Sequence, residues 1–305
     1  MISIGCDIGK SNFDVFLGGK HHKFENKKEG IEKFIKECRK HEKFCIVLEP
    51  TGGYERKLLK ELHFCKFPVS IVNPFYVRNF AKSKRDLAKT DKIDAKILSE
   101  YGEKMDPKLH EQKESYRFDL EELTSRRDNL VCIQKEENQR LEKEPSKVIV
   151  KSIEQHLKYL EKSIEEIECQ IKKLVKEKAK DIDAVLQSEK GVGIQTSAIL
   201  IGSLPELGRL DNRRIAKLAG LAPMAYDSGS KSGNRSIRGG RDRVRVALYM
   251  ASISAIKGNH KVKDFYYRLR EQGKLHKVAI TAVMRKLIVI LNSKMRLFYE
   301  GKNYF

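Results

Sequence analysis

No stretch of the 305-residue chain is apolar for long enough to span a membrane, and no secretory leader precedes the first strand-like segment. No C-x-x-C pair occurs among the six cysteines, Cys6, Cys38, Cys45, Cys65, Cys132 and Cys169. The histidines are scattered apart from His21–His22, and neighbouring strand residues point to opposite faces. These absences exclude a membrane protein, a disulfide scaffold and a zinc module. Most of the cysteines occupy apolar-patterned positions and are expected to be buried thiols in a reducing cytoplasm. Acidic residues are the remaining shortage: 42 Asp and Glu against 62 Lys and Arg give a net charge of +20 and a pI near 9.6. Such an excess attracts polyanions, nucleic acid first among them. A hydrophobic content of 40% and a mean hydropathy of −0.53 describe a water-soluble chain with core enough for two domains or one large one.

The first hundred residues alternate strand and helix signals. Ile2 to Gly9 reads as a strand with an aspartate in it, and Asn12 to Leu17 and Lys23 to Glu25 follow at hairpin distance around Gly18–Gly19. Gly30 to Lys40 carries a helical stripe through Ile31, Phe34, Ile35 and Cys38. Phe44 to Leu48 is a buried strand, Tyr54 to Phe64 a helix, and Val69 to Val72 another strand, with a helix starting at Asn73–Pro74. That order predicts a mixed α/β sheet with helices on its faces.

Four acids stand at telling places in this frame. Asp7 lies inside the first strand, where an unpaired charge is costly. Glu49 ends a core strand, where α/β sheets place their sites. Asp91 and Asp94, three residues apart, share one face of a helix expected from Asp91 to about Gly102 with Thr90 as its cap. Alone, that pair reads more readily as two first-turn acids favoured by the helix dipole than as part of a site. Together, four converging carboxylates require a divalent cation, and oxygen-only ligation suits magnesium or manganese for phosphoryl transfer.

From Leu120 to Lys180 the composition shifts to Glu, Lys, Leu and Ile. Ile153, Leu157, Leu160, Ile164, Ile167, Ile171 and Leu174 keep heptad spacing, and Leu120, Leu123, Leu130 and Ile133 form a first arm in poorer register, separated at Pro145. A spacer hairpin and an oligomerisation device fit this pattern equally.

The last third opens on Gly191-Val192-Gly193 before an apolar helix, either a helix–hairpin–helix element or a plain joining turn. Arg209, Arg213, Arg214 and Lys217 follow. A glycine- and serine-rich stretch, Tyr226 to Gly233, is flanked by Arg235, Arg238, Arg241, Arg243 and Arg245. Such a loop is ordinarily a flexible linker, although guanidiniums can hold a phosphate beside a hydroxyl. Val244 to Ile256 and Val278 to Leu297 are amphipathic helices expected to close a core, with Arg285, Lys286 and Arg296 on a basic face.

The carboxylate pattern resembles RNase H-like, RuvC-like nucleases. Asp7-Ile8-Gly9-Lys10, Glu49-Pro50-Thr51-Gly52-Gly53-Tyr54 and Lys89-Thr90-Asp91-Lys92-Ile93-Asp94-Ala95, in that order, resemble the DEDD transposases of the insertion sequence 110 family. Gly220-Leu221-Ala222-Pro223, Ser228–Gly229, Gly240 and Arg245 resemble that family's C-terminal domain. The resemblance implies a RuvC-like DEDD domain over 1–115, a coiled-coil linker over 116–180 and a mainly α transposase domain over 181–305. It implies metal binding by Asp7, Glu49, Asp91 and Asp94 and a nucleophile at Ser228, with Ser230 as the fallback. Asp227 departs from the pattern, since a neutral residue is expected before the serine, and Gly239 stands where a basic residue is usual. Nucleic-acid contacts are expected from Lys10, Lys89, Arg213, Arg214, Lys231, Arg235, Arg238, Arg241 and Arg245. The expected partners are DNA, a noncoding guide RNA and further copies of the chain as dimer or tetramer, at a bacterial or archaeal nucleoid. The alternatives are a junction resolvase of RuvC type using water, a site-specific invertase, and a binding protein with a relic nuclease fold.

Overall fold

The computed structural model describes residues 2–84, 90–110, 113–224, 227–228, 231–232, 235–258 and 260–302, with backbone only at 227–228, 231–232 and 260–261. The chain divides into two compact units, Met1–Ser115 and Tyr116–Phe305.

Unit 1 is built on β1 (Ile2–Ile8), β2 (Asn12–Leu17), β3 (Lys20–Glu25), α1 (Lys28–Cys38), β4 (Phe44–Leu48), α2 (Arg56–Phe64), β5 (Val69–Ile71), α3 (Pro74–Ser83) and α4 (Asp91–Met105). The sheet order is β3-β2-β1-β4-β5, antiparallel across the first three strands and parallel from β1 through β5. Strand β3 starts three residues before its expected position, because the Gly18–Gly19 turn pairs Leu17 directly with Lys20. Alternation divides the sheet into two faces. Ile4, Phe13, Ile46 and Leu48 are fully buried on one, and Phe34 of α1 meets Phe13 edge-on at 5.4 Å. On the other, Val47 packs with Ile97 and Leu98 of α4 and Val77 of α3.

Unit 2 is helical apart from four two-residue strands. It comprises α5 (Ser115–Leu141), α6 (Lys147–Lys178), α7 (Lys180–Gln187), α8 (Ile194–Ser203), α9 (Asn212–Leu218), β6 (Pro223–Met224), β7 (Asp227–Ser228), β8 (Lys231–Ser232), β9 (Ser236–Ile237), α10 (Asp242–Gly258), α11 (His260–Glu271) and α12 (His276–Tyr299). One core gathers Leu120, Ile171, Leu186, Leu200, Leu248, Leu287 and Leu291. Helices α5 and α6 run antiparallel within the chain, joined by the ion pairs Arg127–Glu168 (3.0 Å) and Glu137–His156 (3.5 Å). Of the seven seam residues only Ile153, Leu160 and Ile171 are buried; the others are partly covered, because α5 offers fewer apolar residues in register.

Three expectations need correction. Cys6, Cys38 and Cys45 are buried, but Cys65 is half-buried and Cys132 and Cys169 are exposed on the long helices, so only half of the thiols are core residues. Helix α11 has no counterpart in the sequence reading. The stretch after Pro223 is not all loop: among the described residues β6 pairs with β9 and β7 with β8, two short ladders that form the arm carrying Ser228.

Candidate active site

Asp7 sits near the end of β1 on the face that α4 covers. Gly5 brings the helix there, because a methyl group on it would lie 2.0 Å from the Ala95 carbonyl oxygen and 2.4 Å from the Ser99 nitrogen. The Ser99 hydroxyl donates to the Ser3 carbonyl at 2.7 Å, and Gly102 lies over Ser3. Helix α4 therefore runs antiparallel to β1, and moving two residues along the strand from Gly5 to Asp7 corresponds to about one helical turn back from Ala95 and Ser99. That turn carries Asp91 and Asp94. Its start is fixed by Thr90, whose hydroxyl accepts from the Ile93 N–H at 3.3 Å. The parallel ladder ends with Cys6 opposite Leu48, which leaves Asp7 and Glu49 each one residue beyond its last pair.

The charges register in one another. Burial, then the carboxylates of Asp94, Asp91, Glu49 and Asp14, push the Asp7 carboxyl up to about 6 from its ordinary value near 3.8. Among the described residues no group of three or more His, Cys, Asp or Glu side chains closes to metal-ligand spacing. The acids act on one carboxylate from separate elements. A set of carboxylate oxygens around a destabilised anion fits a hard divalent cation and does not fit zinc or copper, which favour nitrogen and sulfur.

Two residues of this site were not singled out from sequence. Asp14 lies directly opposite Asp7 across the β1–β2 ladder, buried, with His21 at 2.6 Å and Lys23 at 3.8 Å. Asn26, also buried, donates from Nδ2 to the Gly9 and Tyr54 carbonyls, both at 3.0 Å. It thereby ties the loop after Asp7 to the loop after Glu49. Asp14 was detectable as a second acid on an apolar strand; Asn26 left no signal, since its role depends on two loops distant in sequence.

In unit 2 the arm bearing Ser228 is clasped at its base. Gly220 and Gly240 cross with positive φ, and a methyl on Gly240 would lie 2.3 Å from the Gly220 nitrogen. Arg245 donates to the Gly239 carbonyl at 2.7 Å and pairs with Asp242. Arg241 holds both oxygens of Glu206 and the Ser203 carbonyl. Further out, β7 and β8 pair Ser228 with Lys231; the Ser228 and Lys231 side chains, Ser230 and Lys89 lie outside the described residues. Gly191 in the α7–α8 turn presses on Ala251 and Ala255 of α10, which gives that turn a packing role. Lys10, Arg213, Arg214, Arg235 and Arg238 are exposed, whereas Arg241 and Arg245 face inward onto their partners.

Residues 4–144 match a family model described as a transposase of the DEDD, IS110 type, and residues 183–267 match the model of the transposase IS116/IS110/IS902 family. Pilin gene-inverting proteins of Moraxella bovis and Moraxella lacunata are 29% and 28% identical over 96% of this chain and 95% of theirs. An uncharacterized 43.6 kDa protein of insertion element IS110 from Streptomyces coelicolor is 28% identical over 51% of this chain and 39% of its own length.

Proposed function

The chain belongs to the insertion sequence 110 family of DNA transposases and recombinases, and from that premise we propose that it cuts and rejoins DNA through a serine-linked intermediate assisted by a metal-binding acidic cluster. The observation that carries this reading is the field at Asp7, where burial and acids from β4's end and α4 act on one carboxylate. The mixed five-stranded sheet with its acids at the ends of β1 and β4 supports reading unit 1 as RNase H-like.

Asp7, Glu49, Asp91 and Asp94 would hold a divalent cation, magnesium or manganese. When bound, such an ion supplies positive charge to the oxygens of a phosphoryl group in transfer. The Ser228 hydroxyl attacks the phosphodiester: its Oγ–P bond forms, its proton goes to a base, and the P–O bond to one sugar breaks, with that oxygen leaving as a hydroxyl. In the second step the hydroxyl of the exchanged strand attacks the same phosphorus and Oγ is released. No bond energy is lost, so rejoining needs no nucleotide cofactor. Lys231, Arg235 and Arg238 hold phosphate oxygens beside the arm, while Lys10, Lys89, Arg213 and Arg214 contact backbone elsewhere. Arg241 and Arg245 fix the feet of the arm. Exchange of two strands requires at least two copies of the chain, and family membership supports a noncoding guide RNA as the source of target choice.

Within this reading, inversion of a DNA segment is favoured over insertion. The pilin gene-inverting proteins align along almost the whole chain, whereas the insertion-element protein aligns along about half of it.

The test is capture of a covalent adduct with labelled DNA, followed by identification of the modified residue. The expected adduct is a phosphoserine ester at residue 228, abolished in Ser228→Ala while DNA binding persists. Cleavage by Ser228→Ala at the wild-type rate would overturn the serine mechanism in favour of attack by water.

A further inference from the structure

Between Lys257 and Lys286 the chain carries nine Lys and Arg residues against two acids, Asp264 and Glu271. Helices α11 and α12 turn this stretch into a platform: Val262 and Val283 pack with Ala255, and the Tyr266 hydroxyl meets His276 Nδ1 at 2.7 Å across the connecting turn. On α11, Lys263, Tyr267 and Arg270 follow at four- and three-residue spacing and are all exposed. On α12, exposed Lys277 and Arg285 stand eight residues apart. Lys286 Nζ and the Arg268 guanidinium lie 4.5 and 5.5 Å from the Phe265 ring centroid. Among the described residues no ion pair joins Lys263, Arg268, Lys277, Arg285 or Lys286 to a carboxylate.

That contrasts with the other arginines of unit 2. Arg241, Arg243 and Arg127 are each paired with an acid of a neighbouring segment and hold the fold together. Lys263, Arg268, Lys277, Arg285 and Lys286 repel one another and, among the described residues, neutralise no carboxylate. We propose that the α11–α12 face is a phosphate-backbone docking surface for nucleic acid, separate from the arm that bears Ser228. Lys263 to Arg270 spans about 10 Å and Lys277 to Arg285 about 12 Å. Each row therefore reaches roughly three phosphates along one strand. Exposed Tyr267 adds a ring that can stack on an unpaired base. Most of the surface lies beyond residue 267, where the second family match ends. The proposal rests on the functional reading only for the class of ligand.

The test is equilibrium binding of the full chain to a labelled duplex DNA and, separately, to a labelled structured RNA, across a salt series. The variant is Lys263→Gln/Lys277→Gln/Arg285→Gln, whose three side chains hold nothing in the fold. The control is Lys158→Gln/Lys162→Gln/Lys172→Gln on exposed positions of α6. Affinity of the face variant is expected to fall roughly 10- to 100-fold near 0.1 M salt, with the logarithmic salt slope shallower by about 2 to 3, while the control changes less than about threefold. Loss confined to DNA or to RNA names the ligand and supports the face. Equal loss in face and control variants, or an unchanged slope, would overturn it. Binding is read without chemistry, so inactivity of Ser228→Ala leaves the outcome intact.

Discussion

The two units treat charge in opposite ways. Around Asp7, unit 1 places acids from separate elements within one another's field, so that each pushes the Asp7 carboxyl up. Around Arg241, unit 2 matches a guanidinium to both oxygens of Glu206 and to a backbone carbonyl. Matched charge specifies a fold, because breaking it leaves a desolvated partner. Crowded like charge works against folding and persists where something outside the polypeptide relieves it. The contrast separates residues that shape the protein from residues that act, even between arginines a few positions apart.

The sharpest way to break this comparison is Arg241→Ala. It removes the guanidinium that holds both oxygens of Glu206, whose side chain is only 12% exposed, and the Ser203 carbonyl. The expected loss for unit 2 is about 2–3 kcal/mol, read as a shift in urea midpoint of the full chain. Adding Glu206→Gln should recover part of that loss, since the half-buried negative charge that Arg241 balanced is then removed as well. A loss below about 0.5 kcal/mol would place Arg241 with the acting residues after all.

How far such roles were legible in the sequence follows from the same division. Asp7 announced itself because a charged residue inside an apolar strand has few structural uses, and Glu49 because it ends such a strand. The register that brings their strand ends together depends on β1 and β4 pairing in parallel, which no local pattern records. The basic residues were not separable: Arg235, Arg238, Arg241 and Arg245 lie in one run, yet Arg241 turns inward onto Glu206 and Arg245 folds back onto Asp242 and the Gly239 carbonyl. Asn26 and the Gly220–Gly240 crossing depend on contacts between distant loops and were invisible as sites. Helix α11 was missed because its aromatic and basic residues fill most of its surface, leaving a short apolar stripe.

A smaller effect of opposite sign is expected from Asp7→Asn. Removing the crowded charge should abolish strand transfer and yet stabilise metal-free unit 1 by about 1–2 kcal/mol near pH 7, after allowance for solvent screening of a partly exposed group. The pH dependence fixes the sign. With Asp7 raised from 3.8 to about 6, the folded state holds the extra proton between those values, so stability falls as pH rises from about 4 to 6. His63 opposes this. Burial, then the nearby Lys113 charge, lower it from 6.5 to about 4, and its Nδ1 accepts from the Lys113 N–H at 2.8 Å. The unfolded state therefore binds the proton first, and stability rises with pH over almost the same window. The two slopes nearly cancel in the native chain. Asp7→Asn should expose the histidine slope, visible as a thermal midpoint that climbs between pH 4 and 6.5. A profile in that variant that matches the wild type's would mean that Asp7 had never been destabilised.

The smallest expected effect sharpens the arginine side. Arg214 opens α9 beside Asp211, which caps the helix by accepting from the Arg213 and Arg214 N–H groups at 2.9 and 3.0 Å. Those bonds use backbone donors and survive any substitution of the side chain. The guanidinium adds only an exposed contact to Asp211 at 3.2 Å. Surface pairs of this kind contribute between nothing and about 1 kcal/mol. Arg214→Gln should therefore change stability by less than about 0.5 kcal/mol, while its affinity for DNA falls and the salt slope drops by about 1. Loss of stability comparable to that of Arg241→Ala would show that position along the chain, not pairing, decides what an arginine does here. Loss of affinity alone would place Arg214 with Asp7, among charges the fold leaves for the ligand to complete.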